Sequence, residues 1–211
     1  LTVTNTNDAP TVTSAISDGS IAEDASYSLN AAAAFTDVDS SDTLTYTMSG
    51  APSTLSISSG TISGTPLNAD VGAHTIIVTA TDGSNAAVSD TFILTVTNTN
   101  DAPTVANAIA DASTAEDAAY TLSLSNVFTD VDTGDSCTYS MSGAPSTLSL
   151  SSGTISGTPI NANVGTHTIE VTCTDGSSAA VSDSYELTVT NTNDAPTVTS
   201  AISDGSIAED A

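Results

Sequence analysis

The chain has 211 residues, 25 of them acidic and none Lys or Arg, for a formal net charge of −25 at pH 7. That balance excludes ordinary nucleic-acid binding, where Lys and Arg displace phosphate counterions, and argues against anionic membranes and phosphorylated ligands. Aromatics are 4% of the chain and Trp is absent, so any core is lean, and no apolar run reaches the length of a membrane-spanning helix.

The string "LTVTNTNDAPTV" begins at Leu1, Leu94 and Leu187, an interval of 93 residues each time. A repeat of that size is large enough to be a small independent domain. We expect residues 1–8 to be the last strand and linker of a preceding repeat, 9–101 and 102–194 to be two domains, and 195–211 to begin a third. Leu1–Ala25 and Leu187–Ala211 are identical, whereas Leu94–Ala118 differs, which points to a longer polypeptide with a two-domain unit.

Within the first repeat, short alternating runs are separated by turn residues. "TVTSAI" at 11–16 opens a strand, and "SYSL" puts Tyr27 and Leu29 on one face. "NAAAAF" at 30–35 favours a helix but is too short to be stable alone, and no other stretch reads as helical. "TLTYTM" aligns Leu44, Tyr46 and Met48; "TLSI", "TISG", "HTIIVTA" and "DTFILTVT" follow. About seven strands per repeat imply an all-β chain of tandem immunoglobulin-like Greek-key sandwiches.

"FTDVDSSDTLTYTMSG" and "SGTPLNADVGAHTIIVTATDG", with second copies "FTDVDTGDSCTYSMSG" and "SGTPINANVGTHTIEVTCTDG", resemble the dystroglycan-type cadherin-like domain of bacterial and archaeal surface proteins. The resemblance implies the sandwich, tandem arrays, an extracellular location and Ca²⁺ at the short linkers. The family's linker resembles Asp-x-Asn-Asp-Asn. Here Asn98-Thr99-Asn100-Asp101-Ala102-Pro103 keeps the Asn-Asp pair, has Asn for the first Asp and lacks the last Asn.

By the same resemblance Glu23 of "AED", Asp130 and Asp132 of "TDVD" and Asp175 of "TCTDG" join that linker as ligands. The upstream equivalents are Asn5, Asn7, Asp8, Asp37, Asp39 and Asp82; the downstream ones are Glu116, Asn191, Asn193 and Asp194. Asp70 lies where cadherins carry a further acidic pair, but its counterpart is Asn163. Clustered carboxylates without basic neighbours need a cation from solution, and hard oxygen donors select Ca²⁺. The plainer alternative is a polar linker stopped by Pro. An EF-hand is excluded, because "DVDSSD" has no Gly at its sixth position and Met48 stands where Glu is required.

Asp70, Asp90 and Asp183 taken singly read as solvated turn carboxylates, and His74 and His167 as lone surface histidines just before a strand. Cys137 and Cys173 replace Leu44 and Ala80 of the first repeat. Alternation turns both toward the core, on strands that neighbour each other in an immunoglobulin-like sheet. A disulfide in an oxidising compartment is expected, with two buried thiols as the alternative.

No nucleophile-elbow or phosphate-loop sequence occurs, and the paired carboxylates recur at loop ends in each repeat instead of lining one cleft, which argues against an enzyme. The expected role is a calcium-stiffened stalk or fibre segment of a long surface protein. Its partners would be neighbouring repeats, identical chains, or cell-surface glycans or proteins. Filament assembly by strand exchange and a carbohydrate-binding or homophilic module are the alternatives.

Overall fold

The computed structural model describes residues 1–211 apart from Val3, Ala208, Asp210 and Ala211. The chain divides into two compact units, Leu1–Asp101 with Val131–Gly134, and Ala102–Asp130 with Asp135–Ala211.

In the first unit the strands are β1 (Thr11–Val12), β2 (Gly19–Ala22), β3 (Tyr27–Asn30), β4 (Phe35–Thr36), β5 (Thr45–Ser49), β6 (Leu55–Ser58), β7 (Thr61–Gly64), β8 (Gly72–Thr81) and β9 (Ala87–Thr97). They form a four-stranded sheet in the order β2-β9-β8-β5, a three-stranded sheet β3-β7-β6 and the small pair β1-β4. All neighbours are antiparallel except β2 and β9, which run parallel with Gly19 beside Leu94 and Ala22 beside Thr97. The two long strands carry the fold: alternation buries Ile76, Val78 and Ala80 on β8 and Phe92, Leu94 and Val96 on β9. Ile62 and Leu55 of the other sheet join the same buried cluster. Each fully buried aliphatic side chain of this kind contributes roughly 1.5–3 kcal/mol.

The second unit repeats the plan with β10 (Thr104–Val105), β11 (Ala112–Ala115), β12 (Tyr120–Ser123), β13 (Phe128–Thr129), β14 (Thr138–Ser142), β15 (Leu148–Ser151), β16 (Thr154–Gly157), β17 (Gly165–Thr174) and β18 (Ala180–Thr190). Its sheets are β11-β18-β17-β14, β12-β16-β15 and β10-β13. Inside it, Tyr120 and Tyr185 share a buried 3.2 Å hydroxyl–hydroxyl hydrogen bond. Burial first, then that bond, raises the Tyr185 pKa above its ordinary value. The matching residues of the first unit are Tyr27 and Phe92, so the bond belongs to the second unit alone.

Three local expectations are corrected. The strand expected from "TVTSAI" survives only as Thr11–Val12, and the chain then bends before pairing again as β2. The cause lies in two carboxylates: Asp90 accepts the Ile16 amide at 2.6 Å and Asp18 accepts the Ile93 amide at 2.7 Å. Side chains thus occupy backbone groups that a continuous ladder would use. Second, "NAAAAF" does form a 3-10 turn, Ala31–Ala34, held by burial of Ala31 and Ala34 and not by intrinsic helicity. Third, Asn68–Asp70 and Asn161–Asn163 are further 3-10 turns that no apolar periodicity announces. Their last residues accept the backbone N–H of Leu67 and Ile160, each at 3.0 Å.

Candidate metal centre

At the start of the first unit, the linker asparagines bind the acidic loops directly. Asn5 Nδ2 donates to Asp39 Oδ1 at 2.7 Å, the Asp8 amide donates to Asp39 Oδ2 at 2.8 Å, and Asn7 Nδ2 donates to Asp82 Oδ2 at 3.0 Å. The other Asp82 oxygen accepts the amides of Ser84 and Ala86, so the turn after β8 is wrapped around this carboxylate. The Asn5 amide, and after it the Asp8 N–H, holds the Asp39 pKa below the ordinary aspartate range; the Asn7 amide does the same for Asp82.

Asp42 behaves in the opposite way. Burial, followed by the charges of Asp37, Asp82 and Asp39, pushes its pKa up. Asp37, Asp42 and Asp82 each bring a carboxylate oxygen within 4.8 Å of the other two. Oδ2 of Asp37 and Oδ2 of Asp42 are buried without a hydrogen-bond partner. Asp42 escaped the sequence reading; its signal was the third acid of "DVDSSD", discounted once the EF-hand pattern failed. Asp39, by contrast, has both oxygens engaged by the linker.

A second acidic group of the first unit joins Glu23, Asp101 and Asp132, again within 4.8 Å. Glu23 follows β2 and is only 2% exposed. Its Oε1 accepts the Thr99 amide at 2.8 Å, while Oε2 is buried with no partner. Asp132 Oδ2 accepts the Asp101 amide at 2.8 Å, and Oδ1 accepts Asn68 Nδ2 at 2.9 Å. Asn68 was not singled out by sequence, since only the 3-10 turn brings it here. Of the linker asparagines, Asn98 and Asn100 are exposed, and Asn100 Nδ2 donates to the Asp101 carbonyl at 2.9 Å.

In the second unit, Asp175 is buried and accepts the amides of Ser177 at 2.9 Å and Ala179 at 2.7 Å, as Asp82 does in the first. Asp130 is half-buried, directly after β13. Glu116, 2% exposed, repeats Glu23: Oε1 accepts the Thr192 amide at 2.7 Å and Oε2 is buried and partnerless. Asn193 Nδ2 donates to the Asp194 carbonyl at 3.3 Å, Asn161 Nδ2 reaches Asp194 Oδ2 at 3.5 Å, and Asn191 is exposed.

The donor set fits a hard cation. Every donor is an oxygen or can offer one, the chain has no Lys or Arg to neutralise them, and an unpaired buried carboxylate is costly. Oxygens of this kind suit Ca²⁺ and leave nothing for soft-metal chemistry.

The residues read as incidental have other places. Asp90 and Asp183 are not turn carboxylates but lie within β9 and β18, where they accept the Ile16 and Ile109 amides at 2.6 Å. Asp70 caps its 3-10 turn and accepts Thr54 Oγ1 at 2.7 Å. His74 and His167 are half-buried inside β8 and β17 and pair through Nε2 with the carbonyls of Asp70 and Asn163 at 2.6 and 2.7 Å. Cys137 and Cys173 are joined by a disulfide with Cα atoms 5.1 Å apart. Cys173 is buried on β17, where its register partner is Tyr139.

The paired sheets, Greek-key order and acidic loop ends define a tandem sandwich of the immunoglobulin type. The chain belongs to the He_PIG family, described as "Putative Ig domain", whose model matches residues 9–97 and again 102–190. It is 37% identical over 152 residues to the "Serine-rich adhesin for platelets" of Staphylococcus aureus (strain USA300), a match that covers 70% of this chain and 6% of that protein. The chain therefore spans a small fraction of the length of the curated relatives it matches. Among solved structures it resembles mouse cadherin-23 EC22-24, with a TM-score of 0.60, 19% identity, and coverage of 87% of this chain and 65% of that one. The extracellular domains 1–5 of protocadherin gamma B2 give a TM-score of 0.53, 19% identity, and coverage of 89% and 41%. These last two likenesses are of fold. No helix among the described residues is long and apolar enough to cross a membrane.

Proposed function

We propose that this chain is a non-enzymatic structural and adhesive segment of a longer cell-surface protein, stiffened by calcium at its linkers. The observation that carries the reading is the Glu23 Oε2 atom, buried without a partner in a group whose carboxylate oxygens, from Glu23, Asp101 and Asp132, lie within 4.8 Å of one another. Glu23, Asp101 and Asp132 would hold the ion, with the amide oxygens of Asn98 and Asn100 completing its shell; Asp130 and Asp175 are the carboxylates that the second unit itself would offer to calcium. Asp37, Asp42 and Asp82, with Asn5, Asn7, Asp8 and Asp39, form the corresponding set upstream; Glu116, Asn191, Asn193 and Asp194 form it downstream.

The finer family assignment, a dystroglycan-type cadherin-like repeat with folding units at 9–101 and 102–194, goes with this reading. So does an extracellular location, in keeping with the adhesin named among the relatives. Neighbouring repeats and identical chains are the expected partners, with surface glycans or proteins as targets of the whole molecule. Calcium neutralises charge at the loop ends and draws linker and loops together; affinity should be on the order of 10⁻⁴–10⁻³ M, as for extracellular modules.

Thermal melting with millimolar calcium and with chelator, at low ionic strength, tests the reading. Calcium should raise the melting temperature of the wild type. Glu23→Gln should lose most of that gain while melting higher than the wild type in chelator, because a buried unpaired charge is removed. Superimposable wild-type curves with and without calcium would sink the proposal.

A further inference from the structure

The Cys137–Cys173 bridge stands two residues from an acidic loop at both of its ends. One end reads Asp135-Ser136-Cys137 and the other Cys173-Thr174-Asp175. The loops meet: a Cβ built on Gly176 would lie 3.7 Å from Asp135 Oδ1. Asp175 is itself fixed to its turn by the Ser177 and Ala179 amides. The bridge therefore ties together the roots of the two loops that carry the second repeat's carboxylates.

In the first repeat the same sequence positions read Asp42-Thr43-Leu44 and Ala80-Thr81-Asp82. Leu44 and Ala80 pack into the core but form no covalent link. There, carboxylate oxygens of Asp37, Asp42 and Asp82 lie within 4.8 Å of one another. Without an ion, mutual repulsion favours any opening that separates such carboxylates, and a bond across the loop roots limits that opening. A loop already held near its bound arrangement loses less freedom when the ion arrives, which appears as affinity.

We propose that the Cys137–Cys173 disulfide preorganises the acidic loops of the second repeat for calcium, so that the oxidation state of this one bond sets the affinity there. The proposal rests on the calcium reading above. Reduction is a simple exchange: a dithiol supplies two electrons and two protons, the S–S bond breaks, two thiols form, and the dithiol closes into its own disulfide. The first repeat, lacking the bond, is indifferent to the reductant and serves as the internal control.

The experiment is a calcium titration of the whole chain followed by amide NMR, read at Gly176 in the second repeat and at the equivalent Gly83 in the first. With the bond intact, the Gly176 midpoint should lie at about tenfold lower calcium than after dithiol treatment, an effect of about 1.4 kcal/mol, with Gly83 unmoved. The double variant C137L/C173A, which carries the pair the first repeat already packs, should match the reduced protein. Conversely, L44C/A80C under oxidising conditions should shift the Gly83 midpoint downward, and this arm decides the matter if the reduced second repeat fails to fold. Equal midpoints in bridged and unbridged forms overturn the inference while leaving calcium binding intact. No response at either glycine in any form overturns the calcium reading itself.

Discussion

Asp90 Oδ2 accepts the amide of Ile16 at 2.6 Å, and Asp183 Oδ2 accepts the amide of Ile109 at the same distance. Each bond links residues 74 positions apart and ties the bend after the first short strand to the last strand of its unit. Asp90→Ala should destabilise the first repeat by about 1–3 kcal/mol, the cost of orphaning a hydrogen bond to a charged group. Asp90→Asn, which keeps an acceptor oxygen, should cost less. Urea unfolding midpoints of the two variants give the comparison; equal losses would show that the carboxylate's charge contributes nothing.

Acidity should act on the first acidic group in two opposite senses. The pKa values of Asp39 and Asp82 are depressed, by the Asn5 and Asn7 amides in the first place, so their stabilising contribution is present above the usual aspartate value of about 3.9 and is lost as pH falls through the lowered values. The pKa of Asp42 is raised, chiefly by burial, so its contribution is present below about 3.9 and is lost as pH rises through its own higher value. In chelator, stability should therefore fall between pH 4 and neutrality by the Asp42 share. Asp42→Asn should remove that fall and lower calcium-dependent stabilisation of the first repeat. Calorimetric melting temperatures across pH for wild type and variant are the measurement; parallel profiles would contradict the assignment.

Breaking the Cys137–Cys173 bond should lower the stability of the second repeat by roughly 3–4 kcal/mol, the chain-entropy value for closing a loop of this span. The sequence separation is 36 residues. Calorimetry with and without a dithiol, calcium being absent in both, should show one transition moving down and the other staying in place. Movement of both, or of neither, goes against this.

Gly143 follows β14 with φ +74°, and a Cβ there would collide with the Thr168 carbonyl oxygen; Gly50 repeats the arrangement against Thr75 at φ +77°. Both the left-handed backbone and the close approach require glycine. Gly143→Ala should destabilise the second repeat by more than the roughly 1 kcal/mol of the conformation alone. Gly134→Ala, with φ +98° but open space around the added carbon, separates the strain from the collision. Urea midpoints for the pair are the readout, and identical losses would remove the collision from the account.

How much of this was readable beforehand depends on whether the signal is local. β8 and β9 are legible because ten or eleven residues alternate without interruption. β2 is not: Gly19-Ser20-Ile21-Ala22 has too little pattern, and its partner lies in β9, far along the chain. Asp90 and Asp183 were misread because an acid among Ser and Thr resembles a turn until the remote amide that needs it is known. Glu23 and the Asp-x-Asp of each loop were singled out through family resemblance. Asn68 was not, since only the turn at Asn68–Asp70 delivers it to Asp132.

The parallel pairing of β2 with β9 decides how each repeat answers a pull along the chain. The polypeptide enters β2 at Gly19 and leaves β9 at Thr97, so tension draws the two strands in opposite directions along their common axis. The rungs from Gly19–Leu94 to Ala22–Thr97 are then stressed together in shear instead of opening one after another like a zipper. The Asp18–Ile93 and Asp90–Ile16 hydrogen bonds add to the same seam. In the second repeat β11 and β18 have the same orientation, from Ala112–Leu187 to Ala115–Thr190. Each sandwich is thus built to yield late under stretching.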